Sequence, residues 1–297
     1  MPVSHRFRIA ASLALVASIG LLPAIAAAQA RRPTLATDIE GPSATLNIDP
    51  DARWERVAGC ARDLAATGNG IVYVAGCDVG RGGASSVYRW DGAGFSPYPA
   101  GGRASAVAAF AGDVHAIGSD ALLYSSAGDS VWRRRGTPDG RPITDVGAGE
   151  AGLWIVTSRP NGDGGNAIAR ASACPTADGR LLADEDFCGW QEMPGAAMRI
   201  SVGTTVWVVT ADRAIYEWNA SAERWERRPG CFTDVAVGGR HVYAIACERG
   251  EGDGGKVMRW RLGGGWIDVR GAGERVAVDA AGNAWVATDN GGIWRLR

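Results

Sequence analysis

Lysine is almost missing from this chain: Lys256 is the only one, and arginine supplies the rest of the basic charge. Histidine is nearly as scarce, with three copies, of which His5 falls in the first few residues. The other two, His115 and His241, complete no H-E-x-x-H pattern, and no G-x-S-x-G is present. Zinc-hydrolase and serine-hydrolase chemistry therefore have no motif to rest on. No C-x-x-C pair exists to seed a structural zinc site. Past residue 30 no apolar run is long enough to span a bilayer. A charge excess is lacking as well: removing residues 1–30 takes away Arg6 and Arg8 and leaves 29 basic against 32 acidic residues. That balance argues against a dedicated nucleic-acid surface.

Residues 1–30 have a basic start, an apolar stretch from Ile9 to Leu22 and a small-residue end in Ala28-Gln29-Ala30. This is the pattern of a secretory signal peptide with an A-x-A cleavage site. The chain is accordingly expected to be secreted or periplasmic, with no membrane insertion. Residues 31–53 are polar and carry Pro33, Pro42 and Pro50, and read as a tail or as a strap across the first repeat.

From residue 54 onward the sequence repeats six times. The repeats open at Trp54, Phe95, Trp132, Trp190, Trp225 and Trp266. A first inner run keeps an aliphatic followed by a small residue: Leu64-Ala65, Val107-Ala108, Val146-Gly147, Ile200-Ser201, Val235-Ala236 and Val276-Ala277. A second run keeps a ring at one position: Tyr73, His115, Trp154, Trp207, Tyr243 and Trp285. A third run keeps an aliphatic, as at Val87, Ile215 and Ile293. Short runs rich in Val, Ile and aromatics, separated by Gly, Asp and Asn, read as strands and hairpins. Four strands per unit, repeated at this period, make the blades of a propeller. The expectation is an all-β, six-bladed β-propeller of four-stranded antiparallel blades over 54–297. The sixth repeat stops on its third strand, so the run Trp54-Glu55-Arg56-Val57 is expected to supply the missing outer strand and close the ring.

Two further regularities follow the repeat. Cys60 and Cys77 flank the first inner hairpin, and Cys231 and Cys247 flank the matching hairpin of the fifth repeat. Each pair lies symmetrically about its turn, which predicts the disulfides Cys60–Cys77 and Cys231–Cys247. Cys174 and Cys188 bracket an insertion in the third repeat and are expected to close it. The odd repeats have long Gly-rich loops at 78–86, 158–167 and 248–256 and share an aspartate at the start of the inner strand: Asp63, Asp145 and Asp234. The even repeats have short turns there, so the propeller is expected to show pseudo-threefold character.

The pattern W-x-x-x-x-G, aliphatic-small, V-W-V, I-Y-x-W resembles the tectonin repeat. The copies Trp190 to Trp218 and Trp266 to Trp294 match best, and the resemblance covers 54–297. It departs in the second repeat, with Phe95 and His115, and in the third, with its insertion. The resemblance implies a six-bladed propeller of the tectonin type, several of which are lectins. Those bind surface glycans, including lipopolysaccharide and N-acetylated or methylated sugars, and recognise rather than catalyse. Other members are protein-interaction scaffolds, and the fold alone does not choose between the two.

Most of the twelve tryptophans belong to the opening and second-run columns. Trp90, Trp218, Trp260 and Trp294 do not; all sit on third strands. An aromatic face stacks on the C–H face of a sugar, while Asp, Asn and Arg bond its hydroxyls. Tyr88, Trp90 and Asp91, then Tyr216, Trp218 and Asn219, have that composition, and with Trp260 and Trp294 they are the candidate ligand residues. Inter-strand packing is the alternative reading of the same rings. Asp184-Glu185-Asp186 reads as a solvated acidic loop, with Ca2+ binding as the alternative; no other cofactor is expected. His115 falls in a core column. Carboxylates are scattered over turns with no activated pair, so no enzymatic activity is expected. The preferred reading is an exported monomeric lectin with repeated shallow sites for glycan or cell-surface lipopolysaccharide. The alternative is a scaffold that holds another exported protein.

Overall fold

The computed structural model describes residues 47–127, 131–172 and 189–297. Among them there is no α-helix, only strands and three short 3-10 turns. The strands form six antiparallel sheets. Blade 1 is Asp63–Ala66, Val72–Ala75, Ser85–Trp90 and Phe95–Pro97. Blade 2 is Ala106–Phe110, Asp113–Ile117, Leu123–Ala127 and Arg133–Arg134. Blade 3 is Ile143–Gly149, Gly152–Pro160, Asn166–Ala171 and Trp190–Ala197. Blade 4 is Arg199–Val202, Val206–Val209, Ile215–Asn219 and Arg224–Arg228. Blade 5 is Phe232–Gly238, His241–Arg249, Gly255–Arg261 and Gly265–Gly273. Blade 6 is Arg275–Val278, Ala284–Ala287 and Ile293–Leu296, completed on its outer edge by Trp54–Val57. In that last pairing Trp54 faces Leu296 and Val57 faces Ile293, so the chain closes as its repeat predicts.

Repeat and blade are offset by one strand. The aromatic that opens each repeat lies on or beside the outermost strand of the blade before. Inner strands alternate between seams: Leu64 packs towards blade 6 and Ala65 towards blade 2. The aliphatic of each inner pair thus fills one seam and the small residue lets the next blade approach. A Cβ on Gly147 would lie 2.9 Å from the Val202 side chain, which leaves glycine as the residue that fits.

The core is six similar clusters, one per seam. Tyr73 joins Val107 and Val114; Trp154 joins Ile200 and Val208; Trp207 joins Val235 and Val242. Tyr243 joins Val276 and Val286, and Trp285 joins Leu64 and Val74 across the closing seam. The ring of each second strand therefore packs onto the following blade, where a broad apolar face fills the gap between twisted sheets. His115 holds the same place in blade 2, with Nδ1 2.8 Å from the Ser125 hydroxyl.

The indoles of the opening column have a second task. Nε1 of Trp132, Trp190, Trp225 and Trp266 donates at 2.7–2.8 Å to the carbonyls of Gly101, Gly136, Pro194 and Pro229, each on or just past the outermost strand of the preceding blade. Trp54 does the same to Val269 at 2.8 Å. Phe95 fills the sixth place without a donor.

One detail differs from the sequence reading. Two of the long loops are partly strand: blade 3 pairs Asn166 with Ala197, and blade 5 pairs Gly255 with Gly273. Their fourth strands run eight and nine residues, long enough to carry the ladder up into the hairpin. Of the segment 31–53 only residues 47–53 are described, and they run beside blade 5. Asn47–Ile48 pair in parallel with the outer strand of blade 5, because the chain must arrive at the edge of blade 6. Cys60–Cys77 and Cys231–Cys247 are both bridged, with Cα atoms 5.6 and 5.4 Å apart. The expected Cys174–Cys188 bridge and the acidic run 184–186 lie outside the described residues.

Candidate functional site

Two constellations stand out, one at a seam and one at the axis. The first is a pocket of about 460 Å3 on the rim between blades 3 and 4. Blade 4 contributes Trp218 and Asn219 from the end of its third strand, and Glu226 and Arg228 from its fourth. Blade 3 contributes Trp154 and Arg170, whose guanidinium lies 5.8 Å from the centre of the Trp154 ring. Trp154, Trp218 and Trp225 pack edge to face, with ring centres 5.1–6.3 Å apart. Such packing holds the indoles rigidly at the pocket wall.

The polar wall is equally fixed. Glu217 and Glu226 face each other across the strand pair, a like-charge arrangement that is unfavourable alone. Arg228 lies between them, 2.6 Å from Glu217 and 3.2 Å from Glu226. Asn219 Nδ2 donates to Glu226 at 2.7 Å, while Asn219 Oδ1 accepts the backbone N–H groups of Ser221 and Ala222. Planar carboxylate, amide and guanidinium groups thus stand beside aromatic edges in a pocket of small-molecule size. The arrangement suits a ligand with an apolar face and a rim of hydroxyls.

The second constellation surrounds the axis. The residue just before each aliphatic-small pair reads Asp63, Ala106, Asp145, Arg199, Asp234 and Arg275, so acid alternates with base except at Ala106. Asp63, Asp145, Arg199 and Asp234 line a cavity of about 70 Å3. Each aspartate also accepts the backbone N–H of the next blade: Val107 to Asp63 at 2.8 Å, Ile200 to Asp145 at 2.7 Å and Val276 to Asp234 at 2.9 Å. Arg199 lies 3.4 Å from Asp145 and 3.9 Å from Asp234, and Arg275 lies 3.7 Å from Asp63. Three acids against two bases leave one carboxylate in excess. Burial pushes Asp63 up to about 7 and Asp234 to about 8, against the pull of Arg199. Asp145 is raised by the same burial.

The structure distributes the sequence-predicted ligand residues over four blades rather than gathering them. Tyr88, Trp90 and Asp91 lie on blade 1. Trp90 is 9% exposed and packs against Trp285 and Phe95. Asp91 caps its turn by accepting the N–H groups of Ala93 and Gly94, which hold its carboxyl below the usual range. Tyr216 packs into the blade 3–4 seam, and only Trp218 and Asn219 of that run reach the pocket. Trp260 completes an aromatic trio with Trp207 and Trp266. Trp294 lines a separate groove at blade 6. Glu217, Glu226, Arg228 and Arg170 were not singled out in the sequence. The hairpin register around 220–223, which sets Glu217 opposite Glu226, was the available signal for the first two. Arg170 comes from the neighbouring blade and left none. Among the described residues no group of three or more His, Cys, Asp or Glu side chains is arranged to hold a metal ion. No described helix is long and apolar enough to cross a membrane.

No family model and no curated protein matches the chain. Several solved structures share its fold. A protein provisionally described as a gluconolactonase aligns with a TM-score of 0.55 at 15% identity, over 84% of this chain and 93% of that one. YCF48 bound to D1 peptide aligns at 0.52 and 11% identity, over 84% and 99%. A Bacteroides thetaiotaomicron protein of unknown function aligns at 0.50 and 12% identity, over 84% and 72%. At such identities the likeness carries the six-bladed propeller and nothing about ligand or reaction.

Proposed function

We propose that this chain is an exported carbohydrate-recognition protein of the tectonin type, and that the pocket between blades 3 and 4 is its saccharide site. The observation that carries the reading is the joining of Trp218 and Asn219 to Glu226, Arg228 and Arg170 around one rigid aromatic wall. The Trp218 indole would meet the C–H face of a pyranose, and the amide and charged groups would bond its hydroxyls. Glu217 and Glu226 are engaged by Arg228, which suits binding better than proton transfer. The protein is thus read as a binder, not an enzyme, with glycan or lipopolysaccharide sugar as its ligand class. The two disulfides support export, since such bridges persist outside a reducing cytosol. Residues 1–30 would be the signal that directs it.

A glycan array with the oxidised protein tests the reading. Binding to a defined set of saccharides, weakened at least tenfold by Trp218→Ala, is the expected result. Silence across the array, or unchanged binding by the variant, would sink it. A second reading, an exported scaffold for a protein partner, is favoured by the strand-stiffened hairpins around 158–167 and 248–256. Shortening both hairpins would abolish partner co-purification on that reading and leave saccharide binding intact on the first.

A further inference from the structure

A second groove, of about 330 Å3, lies where the closing strand meets blade 5. Trp54 and Trp294 form its apolar wall, and Arg56 and Arg270 line it as well. Arg56 is two residues from Trp54 on the same strand, so both side chains leave one face of it. Glu55 leaves the other face, where it pairs with Arg295 at 2.9 Å. Arg270 follows Val269, the acceptor of the Trp54 indole. Neither Arg56 nor Arg270 has an ion pair or a side-chain hydrogen bond among the described residues. Of the two acids in the groove, Asp253 accepts from Asn290 at 2.7 Å, and Glu251 makes no ion pair among the described residues.

The backbone at Arg270 sets this groove apart from the other links. Gly102 and Gly195 lie under the indoles of Trp132 and Trp225 and themselves take the left-handed conformation, with φ of 93° and 86°. In the blade 5 link Gly271 lies under Trp54, yet the left-handed residue is Arg270, with φ of 53°. A side chain is disfavoured there, and such outliers concentrate where function over-determines them. Packing needs only the glycine; the arginine adds a second guanidinium to a groove that already holds one.

We propose that this groove is a second binding site, for a small hydroxylated molecule carrying an oxyanion. A phosphate or carboxylate would be clamped by Arg56 and Arg270, since guanidinium pairs such oxygens in a planar fork. The organic part would lie along Trp294, with Glu251 available to its hydroxyls. Glu251 can accept from the hydroxyls of an organic ester, a contact that inorganic phosphate lacks. Because Arg56 is on the closing strand and Arg270 on blade 5, the ligand would bridge the seam at which the propeller is sealed. The site is independent of the saccharide pocket between blades 3 and 4.

Calorimetric titration of the disulfide-bonded protein at low salt tests the proposal, with glucose 6-phosphate, glucuronate, inorganic phosphate and glucose as probes. Binding of glucose 6-phosphate or glucuronate is expected, with inorganic phosphate weaker and glucose undetected. The two organic anions separate a phosphate site from a carboxylate site. Arg56→Ala should lower affinity at least tenfold. Arg270→Gly should lower it equally while leaving the thermal midpoint unchanged or raised, because glycine takes positive φ freely. All four probes are scored on the Trp218→Ala background, which removes any contribution from the saccharide pocket between blades 3 and 4. Absence of binding by every anion, equal binding of glucose, or full affinity in Arg270→Gly would overturn the proposal. If Arg56→Ala does not fold, the Arg270→Gly result decides.

Discussion

Asp63 and Asp234 keep their protons to higher pH in the folded chain than in the unfolded one, and the sign of the consequence can be worked out. An unfolded aspartate ionises near pH ~3.9. Folded, these two ionise at about 7 and about 8 because burial disfavours their charged forms. The folded state therefore holds extra protons between those limits, and stability contributed by them is lost as pH rises through 7 and 8. His115 works in the opposite sense at lower pH. Burial and the Arg135 charge push it down to about 4, so its contribution is lost as pH falls through the range from 6.5 to 4. The thermal midpoint should hence fall as pH rises from 4.5 towards 8, the two aspartates outweighing the one histidine below 6.5 and acting unopposed above it, by roughly 3–6 °C or more in total. Asp63→Asn should flatten that drop by removing the excess acid. An equally steep drop in Asp63→Asn, followed by differential scanning fluorimetry, would separate the axial cluster from the effect. Trp225→Phe isolates a second residue-scale term: it keeps most of the ring contact and deletes the 2.7 Å bond to Pro194. A loss of about 1 kcal/mol in urea unfolding is expected.

Strands and hairpins show which parts of the molecule could be read in advance. The blades were legible because each strand carries its own signal, an aliphatic-small pair or a ring at a fixed place, six times over. Closure by Trp54–Val57 was legible because the last repeat stops one strand short. Hairpin-flanking cysteines were legible for the same local reason. What depends on two blades meeting was not. Arg199 and Arg275 complete the axial alternation only when six inner strands converge, and Arg170 reaches the Trp154 ring from a strand whose own pattern is unremarkable. The long loops at 158–167 and 248–256 hid their strand content, since the partner residues Ala197 and Gly273 come much later in the chain. The Cys60–Cys77 bridge belongs to this scale too. It packs over Gly291, in the turn of blade 6, whose carbonyl accepts from Ala61 at 3.0 Å. A Cys60→Ser, Cys77→Ser double variant should lose about 2–4 kcal/mol. It should also raise hydrogen exchange first along 54–57 and 293–296, where the ring is joined; protection unchanged there would detach the bridge from closure.

The propeller unit presents different chemistry at different radii: charge at the axis, apolar and aromatic groups in the seams, and mixed polar pockets at the rim. The proposed recognition at the rim would leave the axis free to set stability, so the pH response and any saccharide affinity should vary independently; Asp63→Asn is expected to move the first and spare the second. The join itself has a consequence in time. Glu55 and Arg295 meet across 240 residues of chain. Synthesis must run the whole length of the disc before it can be sealed, and any nascent or trimmed form lacking 293–296 presents two bare strand edges to its neighbours.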